Sequence, residues 1–303
     1  MPAGSLDDLL LRSGHTYSLP ATNTCDQNHV ADARNVLEEA ASDAVAMGGW
    51  SSAEPLRLHK SRVTHLLQCP RRAVASDHIA PANTEDVAIG LLIDAAAKLV
   101  TLGARPPVTV EGALAFLDAL DESQVRDHLR DLGQAAADDL LAKADVRLAQ
   151  LLASWPAIEP GWWPRIEEPL RVRLAGGAVT LGGRLDILVG GPPSGRPSLV
   201  IEVKGGRWHD SVRGDAHFYG LLVGLRDGVP PAYVVSIAAA DGATQVEPIR
   251  PAVLRHTAER VAAALEAAAQ LAAGEAPQAL PGTHCAICPV RSDCPAQPSE
   301  DAA

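Results

Sequence analysis

The sequence predicts an α/β fold: a mixed central β-sheet flanked by helices, with a helical N-terminal part and a cysteine-bearing C-terminal tail. Three observations predict it. Apolar residues recur at helical spacing through the first half of the chain. At about Pro169 the period changes to two. Further on, Leu199-Val200-Ile201-Glu202-Val203-Lys204 is a strongly apolar run closed by Gly205-Gly206, which reads as a buried strand. The chain has 303 residues, 47% of them apolar, enough for one large domain or two modest ones. Only 3% are aromatic, so the core must be built from Ala, Val, Leu and Ile.

Taken in order, Val30, Val36, Leu37, Ala40, Ala41 and Ala44 set a helix from about Val30 to Met47, ended by Gly48-Gly49. This segment reads as an appendage, an N-terminal helical extension over residues 1–53. A short helix should run from Ser61 to Cys69-Pro70. Thr84 has the character of an N-cap, with Glu85 and Asp86 in the first turn. The helix after it, to Val100, is apolar nearly all round and so should be buried. Asp94 is its only acid beyond the first turn. A buried carboxylate is costly unless paired or metal-bound, which makes Asp94 a candidate site residue. Residues 111–153 read as helices with an acidic outer face, an insertion at about 105–160. Leu170, Val172 and Leu174 then alternate with Arg171 and Arg173, as in a strand. Gly176-Gly177 makes a turn and Ala178–Leu181 returns. After Gly182-Gly183 comes a strand through Asp186 to Val189, then a loop over 190–197, the Leu199–Lys204 strand, and a helix over 210–226. A strand over 232–237, a short one over 245–249 and an Ala-rich helix over 252–273 complete the main domain, 54–298. Residues 299–303 read as a disordered tail.

The net charge is −11, from 26 Lys and Arg against 37 Asp and Glu. A nucleic-acid partner then requires a local basic surface. One run supplies it: Arg57, Lys60, Arg62, Arg71 and Arg72 face a single acid, Glu54, whereas 118–145 holds eight acids and three bases. A solvated charged face is the other reading of that run. The first 20 residues contain Asp7 and Asp8 and no basic start followed by an apolar stretch, and nothing is long enough to span a bilayer. The expected location is cytoplasmic and away from membranes. Thiols stay reduced there, so the five cysteines read as ligands or bystanders rather than disulfides.

The chemistry concentrates in one hairpin. Side chains on a strand alternate faces, so Glu202 and Lys204 lie side by side at the end of an apolar strand. Asp186, on the preceding strand, can stand beside Glu202. Hard divalent cations take carboxylate oxygens, and phosphodiester hydrolysis uses such a cation to polarise the phosphoryl group. A neighbouring lysine can orient water or stabilise developing negative charge. A plain salt bridge at a strand end is the competing reading.

Gly183-Arg184-Leu185-Asp186, a loop, then Ile201-Glu202-Val203-Lys204 resembles the signature of PD-(D/E)XK nucleases, which have a restriction-endonuclease-like core, and more narrowly their RecB-like branch. The resemblance implies a Mg²⁺- or Mn²⁺-dependent nuclease that cuts DNA, with an exonuclease acting on single strands or ends as the form expected. The implied setting is repair, recombination or defence, with a helicase or another repair or defence protein as partner; with no Walker A motif, any unwinding needs a partner helicase. The resemblance makes Asp186, Glu202, Lys204 and Tyr219 catalytic, with an upstream glutamate, Glu167 or Glu168. It assigns Asp94, Asp186, Glu202 and Val203 to the metal. Two positions depart from the branch: Asp215 stands where Gln-x-x-x-Tyr has glutamine, and Asp94 stands four residues after Gly90 where a histidine is usual. Together they leave a catalytically weakened nucleic-acid- or partner-binding module as the alternative.

Cys285-x-x-Cys288-x5-Cys294 has metal-ligand spacing and needs a fourth ligand. Cys69, in Cys69-Pro70-Arg71-Arg72, is the first candidate, and His284 and Cys25 compete. Spacing leaves Zn²⁺ and an iron–sulfur cluster open. One early Cys-Pro and three late cysteines resemble the iron–sulfur subset of RecB-like nucleases, AddB-type and CRISPR-associated, which implies a 4Fe–4S cluster. Such a clip closes a long loop and stabilises it. Arg71, Arg72 and Arg207 are candidate phosphate contacts, Trp162 and Trp163 candidate stacking residues, and His209 and His217 candidate substrate contacts.

Overall fold

Residues 5–12, 25–78, 83–103, 108–191, 194–208 and 210–296 are described by the computed structural model. Asp26 opens the longest N-terminal helix: its carboxylate accepts from the Asn28 and His29 amides, and the His29 ring accepts from the Asp26 amide in return. The helices on this side are α1 (Leu6–Arg12), α2 (Gln27–Gly48), α3 (Lys60–Gln68), α4 (Pro70–Ser76) and α5 (Glu85–Thr101). Thr84 caps α5 as expected, its hydroxyl accepting from the Val87 amide. Three more, α6 (Val110–Ala119), α7 (Gln124–Leu132) and α8 (Gln134–Ser154), make up the acidic helical stretch.

Six strands form one mixed sheet: β1 (Leu56–Leu58), β2 (Arg165–Leu174), β3 (Val179–Gly191), β4 (Arg196–Lys204), β5 (Tyr233–Ala238) and β6 (Ala243–Pro248). Helix α9 (Asp210–Asp227) follows β4, and α10 (Pro251–Ala272) follows β6. The order is β1-β3-β4-β5-β6, with β2 on the other edge of β3. β1 lies parallel to β3 and β4 parallel to β5, while the remaining pairs are antiparallel. β3 is the spine. Its first residues pair with β1, its last with β4, and β2 runs along its other side.

Helices cover both faces. One core lies under α2, α3, α9 and α10 and takes Val200 from β4. The other lies under α1 and α5 to α8 and takes Leu199, Ile201 and Val203. The alternation read from the sequence therefore divides β4 between two cores, and Glu202 falls on the Val200 face. No helix among the described residues is long and apolar enough to cross a membrane.

Three expectations need correction. α2 is not an appendage: Val30, Ala33, Leu37, Ala41 and Ala44 are buried in the first core. β3 is a single strand of 13 residues, not two pieces around Gly182-Gly183. The two glycines serve close approach, because a Cβ on Gly182 would lie 3.0 Å from the Leu170 carbonyl oxygen and one on Gly183 would lie 3.0 Å from the Tyr219 ring. β1 was not anticipated, since three residues carry no period. The insertion's start, His209 and the 299–303 tail lie outside the described residues.

If α2 belongs to the core, Leu37→Ala should cost roughly 2–5 kcal/mol and lower the midpoint of a single urea transition. A loss below about 1 kcal/mol would mean that α2 is dispensable to the sheet.

Candidate active site

Antiparallel register does the first positioning. Ile187 lies opposite Ile201 and Leu188 opposite Val200, which brings Asp186 level with Glu202. Asp186 accepts a 2.9 Å hydrogen bond from the Val203 amide, so its carboxylate is fixed to β4. On the other side, Ile166 faces Ile187 and Glu168 faces Leu185, which brings Glu167 level with Asp186. Glu167 has φ 52°, the left-handed region that non-glycine residues rarely adopt. Its carboxylate is held by Lys98 and Arg184. Glu168 is committed elsewhere, to Arg226 at 2.8 Å. Of the two glutamates, Glu167 is therefore the one at the site.

Helix α5 brings Asp94. A Cβ on Gly205 would lie 2.6 Å from the Gly90 Cα, so α5 rests against the end of β4 glycine on glycine. One turn on, Asp94 joins the acids, with Lys98 bound to both Asp94 and Glu167. Lys60, at the start of α3, and Lys204 both donate to Glu202 Oε1, the latter at 2.6 Å. The same two ammoniums approach Asp215 on α9, at 3.9 and 3.4 Å. Tyr219 donates from its hydroxyl to the Arg184 carbonyl at 2.7 Å, and its ring lies under the Lys60 ammonium at 4.9 Å.

The electrostatics are those of crowded acids in a dry place. Burial, then Glu202 and Asp94, push Asp186 up to about 7. Burial also raises Asp94 and Asp215, against the lysines beside them. Glu202, with no exposed surface, goes the other way. Burial would raise it, but Lys204 and Lys60 outweigh that and hold it ionised. The two ammoniums are in turn kept protonated, chiefly by Glu202, against burial that would discharge them. Burial, then Glu202 and Asp186, raise the Tyr219 phenol, which stays a donor.

Two buried carboxylate oxygens of the site have no partner: Asp94 Oδ1 and Glu202 Oε2. An orphaned buried acceptor costs about 1–3 kcal/mol, more when charged, and a hard cation would satisfy both. Asp94, Asp186 and Glu202 thus fit a divalent cation by donor type. Val203, whose only donor to a metal is its carbonyl, lies between Glu202 and Lys204. Among the described residues no three His, Cys, Asp or Glu side chains stand close enough to form a ready-made metal site. Lysine ammoniums sit among the acids instead.

The four predicted cysteines line one pocket, with Arg71, Arg72 and His284. Cys69 is buried at the junction of α3 and α4. The tail is tied to it by bonds from the Arg71 amide to the Gln278 carbonyl and from Arg71 Nη2 to the Asp293 carbonyl, each 3.0 Å. All five cysteines are free thiols. The Nε atoms of Arg71 and Arg72 are buried without a partner, which sets cationic groups beside the thiols. Cys25 is elsewhere, packed against the first core, and burial followed by Asp26 pushes its thiol up to about 11.

The remaining candidates scatter. His217 bonds Glu247 on β6 at 3.2 Å. Trp162 is buried, with Arg196 4.6 Å over its ring, while Trp163 and Arg207 are exposed. The basic run 57–72 is not one patch. Lys60 enters the site, Arg62 pairs with Asp77, and Arg71 and Arg72 face the cysteines. Sequence reasoning missed Lys60 and Lys98 as site residues. A lysine on an otherwise apolar helix was the available signal for Lys98, which the structure leaves 6% exposed.

Residues 57–295 match the PD-(D/E)XK nuclease superfamily, and the chain belongs to that superfamily, whose members hydrolyse phosphodiester bonds. Among solved structures it is similar to SSO0001, at 14% identity and TM-score 0.37, covering 88% of this chain and 96% of that one. It is also similar to a Eubacterium rectale protein provisionally described as an exonuclease, at 9% identity and TM-score 0.47, covering 78% and 87%. Both likenesses are distant. No curated protein matches the sequence.

A cation at Asp186 must displace the proton that Asp186 holds below about pH 7. Mn²⁺ affinity, measured by calorimetry, should therefore rise roughly tenfold per pH unit below about 7 and level off above it. In the metal-free protein the same raised pKa works in the opposite sense, its stabilisation being lost as pH rises toward 7. A Mn²⁺ affinity that is flat between pH 6 and 8 would show that the cation displaces no proton from Asp186 near pH 7.

Proposed function

We propose that this protein is a Mg²⁺- or Mn²⁺-dependent deoxyribonuclease of the RecB-like branch, acting as an exonuclease on single-stranded DNA or DNA ends in repair, recombination or defence. The gathering of Asp94, Glu167, Asp186 and Glu202 around Lys98 and Lys204 supports it, and the two unpartnered buried carboxylate oxygens carry it. A cation held by Asp94, Asp186 and Glu202, with the Val203 carbonyl, supplies Lewis acidity and positive charge at the phosphoryl group.

The chain's own residues do the rest. Lys204 stays protonated beside Glu202, so it acts as a cation and hydrogen-bond donor that orients water and stabilises developing negative charge, not as a base. Lys60, charged for the same reason, adds a second ammonium. Tyr219 holds the Arg184 carbonyl and so fixes β3 next to Asp186. Asp215, in place of the branch's glutamine, takes part through the two lysines.

The cysteine pocket belongs to the same proposal. Cys69, Cys285, Cys288 and Cys294 would hold a 4Fe–4S cluster, with Zn²⁺ as the alternative, and so join the α3–α4 junction to the tail. The unpartnered guanidinium nitrogens of Arg71 and Arg72 suit an anionic cluster.

Two experiments test this. Anaerobically purified protein should cut end-labelled DNA with Mn²⁺ or Mg²⁺ and not with EDTA. Lys204→Ala should lower the rate at least 100-fold, equal to about 2.7 kcal/mol of transition-state stabilisation. Absence of cutting with any metal would leave the weakened binding module as the better account. Elemental analysis should return about four iron atoms per chain, lost with the visible colour in Cys69→Ser. One zinc and no iron would replace the cluster with Zn²⁺.

A further inference from the structure

Away from the acids, the outer face of the sheet carries three arginines to which the active site gives no role. Arg57 on β1 and Arg173 on β2 are both cross-strand partners of Thr180 on β3, and Arg171 lies opposite Gly182. Side chains two apart on a strand, and directly opposed across strands, share a face. The three guanidiniums therefore form a row, opposite Leu58, Leu170, Val172 and Leu174, which are buried in the first core. They line an open recess of about 510 Å³ together with Ser52, Thr180 and the Gly176-Gly177 turn.

None of the three has an ion pair or hydrogen bond among the described residues, although the chain carries 37 acids. The one acid lining the recess, Glu38, is engaged by the Ala175 amide at 2.8 Å and by Arg34 at 3.7 Å. Three like charges held together beside a single acid that is already engaged repel one another, and a bound anion relieves that repulsion. Forked guanidiniums, hydroxyls and a glycine turn suit phosphate oxygens.

We infer that this recess is an anchoring site for the phosphate backbone of a single-stranded nucleic acid, distinct from the cleavage site. It rests on the nuclease reading for the identity of the polyanion. Two links join it to the acids. Thr180 precedes Asp186 by six residues of one strand, roughly 20 Å at about 3.3 Å per residue. Arg57 precedes Lys60 by three residues, across the β1–α3 junction. The row lies on the sheet face opposite Glu202, so only a polymer that passes around the sheet can be held by the row and enter the carboxylates at once, whereas a free mononucleotide cannot.

The test is fluorescence anisotropy of a labelled single-stranded oligonucleotide in EDTA, titrated with the full-length protein over a range of KCl. The combined Arg57→Gln, Arg171→Gln and Arg173→Gln variant should weaken binding at least tenfold. It should also flatten the slope of log affinity against log salt by about 2, since each lost contact with a single strand removes about 0.7. Exposed strand positions tolerate glutamine, and an unchanged melting temperature checks this. If the triple variant is misfolded, single Arg171→Glu carries the test, with an expected affinity loss of at least threefold. Affinity and slope equal to wild type would overturn the inference. Arginine-dependent binding of tripolyphosphate, with oligonucleotide affinity unchanged, would overturn it in favour of a free polyphosphate. Because EDTA removes cleavage from the readout, a protein that cuts DNA yet binds it independently of the arginines sinks this inference alone. One that never cuts, yet loses affinity in the triple variant, leaves the anchoring site standing.

Discussion

Glu202 has no exposed surface, and a carboxylate so placed must be neutralised from close by. Most of the site's arrangement can be traced to that need. Lys204 comes from the same strand face, two residues on. Lys60 has to be brought from 142 residues away, which requires β1 to lie beside β3 so that α3 can start at the sheet's edge. Once two ammoniums occupy that corner, Asp215 on α9 can be buried there as well. The network then ties β1, β4, α3 and α9 together, elements that the two apolar cores only press into contact.

The same logic repeats, on the other side of Asp186, with Lys98. It is almost fully buried and serves both Asp94 and Glu167. Its two partners reach it by unusual means. Asp94 needs α5 to touch β4 through Gly90 and Gly205, and Glu167 needs a left-handed backbone in the middle of a strand. Strain of that kind persists only where its surroundings enforce it. Asp186, between the two groups, is pushed up to about 7 by burial and by the neighbouring Glu202 and Asp94. Each cation beside these acids in the metal-free protein is a lysine or arginine.

Much of this was legible from the sequence because it is local. The β3–β4 hairpin, the alternation that puts Glu202 and Lys204 on one face, and the Thr84 cap each depend on neighbours a few residues apart. What stayed hidden depends on distant contacts. Lys60 sat in a run of bases that read as one surface, yet its neighbours diverge, with Arg57 going to the outer sheet face and Arg71 and Arg72 to the cysteines. Lys98 near the end of a helix reads as a charge reaching for water, until two acids from other elements close on it. Glu167 and Glu168 could not be ranked, because choosing between them depends on a φ angle that breaks alternation. Gly182-Gly183 read as a break between two strand pieces because glycine interrupts strands more often than it marks close packing of strand against tyrosine. The family and its fold follow from short motifs, while the environment that tunes them is tertiary.

Charge distribution makes the final connection. A chain of net charge −11 repels polyanions at long range, so approach must be guided by local cations that are not already spent. Arg62, Arg147, Arg184, Arg213 and Arg226 are all paired with acids. Lys60, Lys98 and Lys204 are spent on carboxylates inside the site. Among the described residues the Arg57, Arg171 and Arg173 row is a cluster of cations paired with no acid, on and beside strands that carry Glu167 and Asp186. Its separation from the carboxylates is itself informative. A basic patch beside the acids would be quenched by them, as the lysines are, and would lose its pull on phosphate. Placing it some 20 Å along β3, beyond about two Debye lengths at physiological salt, keeps its charge available for a substrate long enough to span both places.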